Sequence, residues 1–325
     1  MNDAWPMLAP YLRQYGRNCL SYSVLQAGMQ YHIEEGIGFV AYYPFRHWFW
    51  APLGRDIVLT DPVCADQDAE GLLKRFLEQH PNTIVLQCSA RIGKILENLG
   101  YEVNHMGQEC VLPVPFVLDG KDRSKLRQWR NKCVREQVVI EEKPLSQLDP
   151  AEIDVLSQQW MQEKGGKELI LLTRPFVRED EPDTRCFWAR QNGKLVGLAI
   201  FDPMYDKEQI IGYYHNFDRL TADAPNGTSV AIILEAIKTF EKEGVRSVSL
   251  GLMPLYVLRA HFRHNEFTMK ALRYAYKKLN FLYPFQGNIS HKKKFHGKHI
   301  PVYFSSTKGN RLWELFVLMK AMRMM

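Results

Sequence analysis

The segment from Tyr213 to Ile237 constrains the fold most strongly, because a strand pattern runs directly into a helix pattern there. It reads YYHNFDRLTADAPNGTSVAIILEAI, in which the aromatic half predicts a strand and the apolar half a helix. Asn216, Asp218 and Arg219 stand just before the Asp-Ala-Pro-Asn-Gly turn that separates the two. Either these polar residues only mark the turn, or the strand carries them into a functional site.

Strand and helix patterns alternate in both halves of the chain, which predicts a mixed α/β (α+β) fold. In the first half, strand patterns such as GIGFVAYYPF and NTIVLQCS surround helix patterns such as QDAEGLLKRFLEQH. In the second half, the helix pattern AEIDVLSQQWMQEK precedes a hairpin, CFWARQNGKLVGLAIFDPMY, with Asn-Gly at its turn. The similar order predicts two related units, residues 1–141 and 142–325.

The second half resembles an acetyltransferase-type (GNAT) domain in its order of hairpin, strand, glycine-containing turn, helix and strand. In that fold the turn before the helix offers backbone N–H groups to the pyrophosphate of acetyl-CoA. Here the turn, ADAPNGTS, has one glycine and a proline that lacks an N–H donor. We therefore expect a GNAT fold with a poor coenzyme cradle.

The composition limits the partners and the compartment. A formal net charge of +6 favours polyanionic partners over acidic proteins. Six dispersed cysteines without a CxxC pair indicate reduced thiols in a cytoplasmic protein rather than disulfides or a zinc site. The N-terminus lacks a signal-peptide pattern, and no apolar run reaches the ~18 residues of a membrane span. Any membrane contact is therefore expected to be peripheral, on the inner face.

The segment GKDRSKLRQWRNKCVRE is strongly basic, and we predict a helix over 121–136 that joins the two units. Its apolar residues recur at helical spacing. Candidate contacts for nucleic-acid phosphates on this helix are Lys121, Arg123, Lys125, Arg127 and Arg130. The alternative is a solvated amphipathic helix that only links the units.

A second basic segment, FLYPFQGNISHKKKFHGKH, mixes aromatic residues with lysines and histidines. One interpretation is a pocket formed by Tyr283, Phe285 and Gly287, in which Lys292 and Lys294 hold phosphate. The other is a buried aromatic strand followed by a basic surface loop. The histidines have no supporting carboxylate or cysteine, so no metal site is expected.

The tail GNRLWELFVLMKAMRMM, residues 309–325, predicts a helix with two possible environments. It either packs on the second unit, or lies in a membrane interface with Arg311, Lys320 and Arg323 at anionic headgroups. The packed helix is favoured, because the apolar residues surround the helix instead of forming one stripe.

Four segments together resemble one family, the C-terminal domain of phosphatidylglycerol lysyltransferases. They are LTDPVCADQD, DGKDRSKLRQWRNKCVREQV, ADAPNGTSVAIILEAIKTFEKEGVRSVSLGLMPL and LYPFQGNISHKKKFHGKHIPVYF, in the order and spacing of that family. The resemblance implies two tandem GNAT domains that move an aminoacyl group from a charged tRNA to a lipid hydroxyl. It implies no acetyl-CoA or other cofactor, since aminoacyl-tRNA is the co-substrate, and a free-standing cytosolic member.

The resemblance also implies site residues. Arg219 matches a catalytically important arginine of the family, whereas Asn216 stands where the family has an acid. Lys292 and Lys294 match the lysine motif of the family, but His291 replaces a phenylalanine.

On this basis Arg219 is a candidate to bind the oxyanion or a lipid phosphate, and Asp218 or His215 to act as the base. A core histidine is the equally simple interpretation of His215. A thioester-dependent N-acyltransferase and a catalytically silent binder of tRNA or anionic lipid stay open. The amino acid, the acceptor and the oligomeric state are not determined by the sequence.

Overall fold

The computed structural model describes residues 3–163, 168–278, 285–306 and 311–324. The helices of these ranges are α1 (Trp5–Tyr15), α2 (Ala69–Gln79), α3 (Ala90–Asn98), α4 (Ser124–Arg135), α5 (Pro150–Glu163), α6 (Thr228–Lys242), α7 (Glu266–Lys278), α8 (Phe285–Lys293) and α9 (Arg311–Ala321). The strands are β1 (Gln30–Glu34), β2 (Gly38–His47), β3 (Ala51–Leu59), β4 (Val63–Cys64), β5 (Thr83–Cys88), β6 (Glu102–Pro113), β7 (Val138–Glu142), β8 (Arg185–Gln191), β9 (Lys194–Asp206), β10 (Gln209–Leu220), β11 (Ser247–Pro254) and β12 (Lys298–Ser306). The predicted mixed α/β class is confirmed.

The described strands form one continuous sheet. Its order is β1-β2-β3-β5-β12-β6-β11-β10-β9-β8-β7, with β4 paired beside β2. Strands β3 and β5 run parallel, as do β10 and β11. Strand β12 lies between β5 and β6 and is antiparallel to both. A strand from the C-terminal part of the chain therefore completes the sheet of the N-terminal part.

Several elements agree with the sequence patterns. The β8–β9 hairpin turns at Asn192 and Gly193, whose positive φ values of 51° and 79° suit an Asn-Gly turn. Helix α4 lies within the predicted range 121–136, and α6 is buried on almost every side. Helix α9 buries Val317 and Leu318 in the core, so the tail is a packed helix as favoured, but it contacts Trp50 and Arg55 of the first unit as well as α7 of the second.

The region after β11 differs from expectation, because two helices, α7 and α8, form where the sequence showed only a polar and aromatic stretch. One of the two interpretations of 281–299 was a buried aromatic strand followed by a basic surface loop; the described residues Phe285–Lys293 form helix α8 instead. Ile289 is 4% exposed, so one face of α8 packs into the core. That packing brings Lys292 against β11, where its Nζ reaches the backbone carbonyl of Leu252. Within the described ranges, no helix combines the length and apolarity that crossing a bilayer requires.

The parallel pair β10 and β11 separates part-way along its length. The pairing ends at Tyr214 and Ser249, after which β10 follows β9 and β11 follows β6. Gly251 allows this separation, because its φ is +74° and a Cβ there would lie 2.6 Å from the Tyr214 ring. We call the resulting space the β10–β11 cleft.

Candidate functional site

Strand β10 carries the four predicted catalytic residues, and a β-bulge at Asn216 decides where they point. The register with β9 slips by one residue between His215 and Phe217. Regular alternation would place Asn216 with Asp218 and leave Arg219 on the other face. The extra residue shifts the alternation by one. Asp218 consequently bonds to α6, whereas Arg219 bonds to α5.

Asn216 is buried on the α5 side and holds the chain at Arg174. Its Oδ1 accepts from the backbone N–H of Arg174 at 3.1 Å, and its Nδ2 donates to the carbonyl of the same residue at 3.5 Å. An amide can make both bonds, whereas a carboxylate only accepts. The Arg174 guanidinium is itself paired with Asp202 at 2.7 Å and with Glu181. The amide in place of the family acid therefore fits a structural connection at this position.

Arg219 is 4% exposed and enclosed by side chains from α5 and the segment that follows it. It donates to Ser157 Oγ at 2.5 Å and forms an ion pair with Glu168. The rings of Trp160, Phe176 and Phe217 lie 4.7 to 4.9 Å from its guanidinium carbon. We call this group the arginine cage: Ser157, Trp160, Glu168, Phe176, Phe217 and Arg219. The structure does not bring Arg219 together with Asp218, and its catalytic role stays a prediction.

On the opposite face, His215 and Asp218 border the β10–β11 cleft. The Asp218 carboxylate accepts a hydrogen bond from Ser229 Oγ at 2.7 Å. His215 packs on the Phe201 ring, and its Nε2 has no hydrogen-bond partner among the described residues. Burial lowers the pKa of His215 to about 4, so the ring is neutral at pH 7. A base with so low a pKa accepts a hydrogen bond but removes protons poorly.

Lys292 reaches the same cleft from α8. Its Nζ donates to the backbone carbonyl of Leu252 at 2.8 Å. Burial lowers the pKa of Lys292 to about 8, an effect that the carboxylates of Asp218 and Glu109 oppose. Glu109 accepts from Ser249 Oγ at 2.6 Å, and burial raises the pKa of its carboxyl. We call this group the cleft cluster: Glu109, His215, Asp218, Ser249 and Lys292.

The basic helix divides its predicted phosphate contacts into two groups. Arg123 and Arg127 donate to backbone carbonyls of residues 117–120, at 2.7 Å for both bonds of Arg127. The other three are exposed: Lys121, Lys125 and Arg130. The first group therefore holds the approach to α4, and the second group presents charge to solvent.

Trp129 connects this helix to α8. The Nζ of Lys294 lies 4.4 Å from the Trp129 ring, and that of Lys125 lies 5.4 Å from it. The exposed charge of α4 and the lysine motif of α8 are therefore adjacent.

The predicted aromatic pocket lies largely outside the described residues, because Tyr283 and the side chain of Phe285 fall there, so the pocket stays a prediction. Gly287 is exposed on α8, and a Cβ built there would meet no atom of the described residues within 4 Å. Within the part of the chain that the structure describes, no cluster of histidine, cysteine or acidic residues could hold a metal ion.

The described residues line a larger and a smaller cavity. The larger, about 330 Å³, is lined by Glu142, Asp180 and Arg185 among others, and Arg185 is already paired with Glu142 and Glu243. The smaller, about 30 Å³, adjoins Glu109 and Leu252. Arg185 in the larger cavity is occupied by two acids, whereas the smaller cavity adjoins Glu109 of the cleft cluster.

The first turn of α6 is closed to solvent, although its equivalent in GNAT enzymes holds a pyrophosphate. Gly227, the residue before α6, has φ +106°, and a Cβ there would lie 2.6 Å from Trp129 Cβ. Thr228, Ser229 and Val230 are buried. The backbone N–H of Thr228 donates to the carbonyl of Pro225 at 3.1 Å, and Trp129 of α4 covers Gly227, so this turn is not an open phosphate site.

Comparison with known proteins identifies the family. The sequence profile described as "Phosphatidylglycerol lysyltransferase, C-terminal" matches residues 9–305. The chain belongs to this family. A phosphatidylglycerol lysyltransferase of Bacillus subtilis is 23% identical over 314 residues, which are 94% of this chain and 35% of that protein. The chain thus spans about a third of the length of its curated relative.

Solved structures share the fold. L-PGS from Bacillus licheniformis has a TM-score of 0.77 at 18% identity, covering 98% of this chain and 96% of that one. The C-terminal domain (DUF2156) of a protein from Agrobacterium fabrum has a TM-score of 0.76 at 20% sequence identity, covering 97% of this chain and 95% of that one. FemX has a TM-score of 0.57 at 8% sequence identity, covering 98% of this chain and 99% of that one. At these identities the likeness concerns the fold alone.

Sequence reasoning missed Glu109 and Ser249. Glu109 lies in β6, whose sequence EVNHMGQECVLP contains several other polar residues, and Ser249 follows Ser247 in β11. Neither residue stands out within its own strand, so the strand order is needed to recognise that the two meet. Lys292 was found, but as a phosphate contact instead of a member of the cleft cluster.

Proposed function

We propose that this chain transfers an aminoacyl group from aminoacyl-tRNA to a hydroxyl of an anionic lipid such as phosphatidylglycerol. Family membership supports aminoacyl transfer to lipid in general, and the cleft cluster is the observation that carries the chemistry. We further propose that residues 1–141 and 142–325 are two GNAT units sharing one sheet, in a cytoplasmic protein that works on the inner face of the membrane.

The reaction needs no covalent enzyme intermediate. The lipid hydroxyl oxygen attacks the ester carbonyl of the aminoacyl-tRNA and forms a tetrahedral oxyanion. Collapse breaks the bond to the terminal ribose oxygen, and the proton of the attacking hydroxyl ends on that oxygen. The enzyme therefore has to orient the hydroxyl, carry the proton and stabilise the oxyanion.

The cleft cluster offers a group for each task. Asp218 would accept the hydrogen bond of the lipid hydroxyl, since carboxylates orient and deprotonate such groups. Protonated Lys292 would stabilise the oxyanion, because a cation in a buried site acts more strongly than one in water. The neutral His215, whose buried Nε2 has no partner among the described residues, would accept a hydrogen bond from a substrate that enters the cleft.

The exposed bases of α4 would bind the tRNA. Lys121, Lys125 and Arg130 present charge beside Lys294, which makes one basic surface next to the cleft cluster. The arginine cage has its charges paired, so it is not part of this surface.

The buried first turn of α6 favours an aminoacyl ester over an acyl-thioester donor. A coenzyme pyrophosphate needs open N–H groups there, and Trp129 covers the turn. The donor of the N-acyltransferase alternative therefore lacks its usual binding site. A silent tRNA or lipid binder remains the alternative that the assay must separate.

The test mixes purified protein with tRNA carrying a radiolabelled amino acid and with phosphatidylglycerol, followed by lipid chromatography. We expect label in a lipid product, strongly reduced by Asp218→Asn, with Asp180→Asn on the exposed surface as the matched control. Binding of tRNA without labelled lipid would show a silent binder, and label transfer from an acyl-thioester would show the N-acyltransferase.

A further inference from the structure

An apolar patch projects from the tip of the β2–β3 hairpin. Trp48 is 85% exposed, Leu53 79% and Phe49 50%. Phe316 of α9 is 44% exposed and extends the same surface. We call these four residues the hairpin patch. Contiguous exposed apolar side chains of this size mark an interaction surface instead of ordinary surface variation.

The patch is held in place from below. Trp50 packs against both Trp313 and Phe316, with ring centroids 4.9 and 5.9 Å apart. The Nε1 of Trp313 donates to the backbone carbonyl of Trp50 at 3.0 Å, and Phe49 contacts the same indole. Helix α9 therefore fixes the hairpin tip, so the exposed rings are presented by a rigid support.

The charges around the patch are suited to an anionic surface. From Phe45 to Arg55 the chain contains two arginines and one histidine and no acid. Arg46 is 59% exposed; it donates to the backbone carbonyl of Phe45 at 3.1 Å and contacts the less exposed Asp56 at 3.4 Å. Glu314, the acid on α9, is 1% exposed and is neutralised by Arg55 at 3.0 Å. The surface presented to a partner is therefore apolar, with Arg46 as its exposed cation.

We propose that the hairpin patch inserts into the interfacial region of an anionic bilayer and holds the protein there. Tryptophan and phenylalanine at a convex tip, with arginine beside them, match the chemistry of the headgroup boundary. The inference rests on the proposed function in one respect, since a lipid acceptor requires the protein to meet a membrane. The apolar cluster that supports the patch also contains Tyr214 and Leu252, which border the cleft.

The test measures co-sedimentation of the full chain with vesicles of phosphatidylglycerol and phosphatidylcholine, without tRNA. We expect the double variant Trp48→Ser/Phe49→Ser to bind about tenfold more weakly than the parent protein. The matched control is Phe267→Ser/Tyr274→Ser on α7, where the two aromatic side chains are 67% and 62% exposed. The control should bind as the parent does. Both variants should unfold cooperatively, the double variant at a slightly lower melting temperature because Phe49 packs on Trp313.

Three outcomes would overturn the proposal: no sedimentation of the parent protein with anionic vesicles, equal binding by the double variant, or equal loss in the control. A parent dimer that the double variant converts to a monomer, with vesicle binding unchanged, would assign the patch to a second copy of the chain. Transfer to detergent-dispersed lipid is measured in parallel. If that transfer persists in the absence of vesicle binding, only the patch proposal fails; if vesicles bind without any transfer, only the proposed function fails.

Discussion

Two polar groups lie on opposite faces of β10 within a few residues, and they are built in different ways. In the arginine cage, two of the three guanidinium nitrogens of Arg219 bond to Ser157 and Glu168, and three rings surround the group. In the cleft cluster, Lys292 bonds to a backbone carbonyl, and the buried Nε2 of His215 has no partner among the described residues. The difference shows that a residue matching a family motif is not by that fact available to a substrate. Availability depends on whether its charge is already paired.

The largest effect on stability is expected in the arginine cage. Replacing Arg219 by alanine would leave Glu168 without its partner and open a cavity among three rings, so the free energy of unfolding should fall by about 3–4 kcal/mol. Chemical denaturation measures this. The control Arg178→Ala removes an exposed arginine from the same side and should cost under about 1 kcal/mol. Full stability with lost turnover would move Arg219 into the mechanism and end the contrast between the two faces.

A substitution in the cleft cluster should change the rate of aminoacyl transfer instead of the stability of the protein. Lys292→Met keeps the length of the side chain but removes the charge, so transfer should slow by about 100-fold, or roughly 2.7 kcal/mol in the barrier. Single-turnover transfer from aminoacyl-tRNA is the measurement. Lys293→Met, the exposed neighbour on α8, is the control and should be nearly neutral.

The pH dependence of that rate tests the protonation state of Lys292. With a pKa of about 8, the lysine loses its proton as the pH rises through that value. If the cation stabilises the oxyanion, transfer corrected for ester hydrolysis should fall above pH 8 in the parent protein and stay level in Lys292→Met. A rise instead would make neutral Lys292 the base.

A smaller effect concerns acid stability. The pKa of His215 is about 4 in the folded protein and about 6.5 in the unfolded chain, so the unfolded state binds more protons between these values. Stability is therefore lost as the pH falls from 6.5 towards 4. His215→Gln cannot be protonated and should lose about 2 kcal/mol less over this range, by denaturation at each pH. His105, with a pKa also near 4, is present in both proteins, so the difference reports His215. Parallel curves for the two proteins would mean that His215 is solvated.

The smallest effect concerns tRNA binding, in which an exposed arginine of α4 is compared with one on the α5 side. Arg130→Gln on α4 should lower the slope of log affinity for tRNA against log salt by roughly 0.7–0.9. Arg178→Gln removes an equally exposed arginine from the α5 side and should leave the slope unchanged. Equal changes in both variants would mean that tRNA does not distinguish the two faces.

The sequence predicted the parts of the site that depend on local patterns. Strand β10, its turn and α6 follow from residue spacing within one segment, and so do the polar residues on that strand. The bulge at Asn216 could not be predicted, because it depends on how β10 pairs with β9. A shift of one residue exchanges the two faces of a strand. The sequence therefore could not predict that Asp218 shares a face of β10 with His215, and Arg219 with Asn216.

The cleft cluster could not be predicted from the sequence for a different reason. Glu109, Ser249 and Lys292 lie on three separate elements, and they meet only because β6 and β11 are neighbours and α8 packs over them. The position of β12 was equally unpredictable, since its pattern identifies a strand but not its neighbours. Local chemistry was therefore visible in the sequence, while the meeting of distant residues required the fold.

The position of β12 has a consequence for how the protein is made. A ribosome produces β5 and β6 long before Lys298–Ser306, yet these two strands become neighbours of that segment and not of each other. Until translation reaches it, the nascent chain carries two unpaired strand edges in the centre of its future sheet, where wrong pairing and aggregation begin. The N-terminal half therefore finishes folding only after residues 298–306 have been synthesised, and a nonsense mutation before them would remove the middle of the sheet.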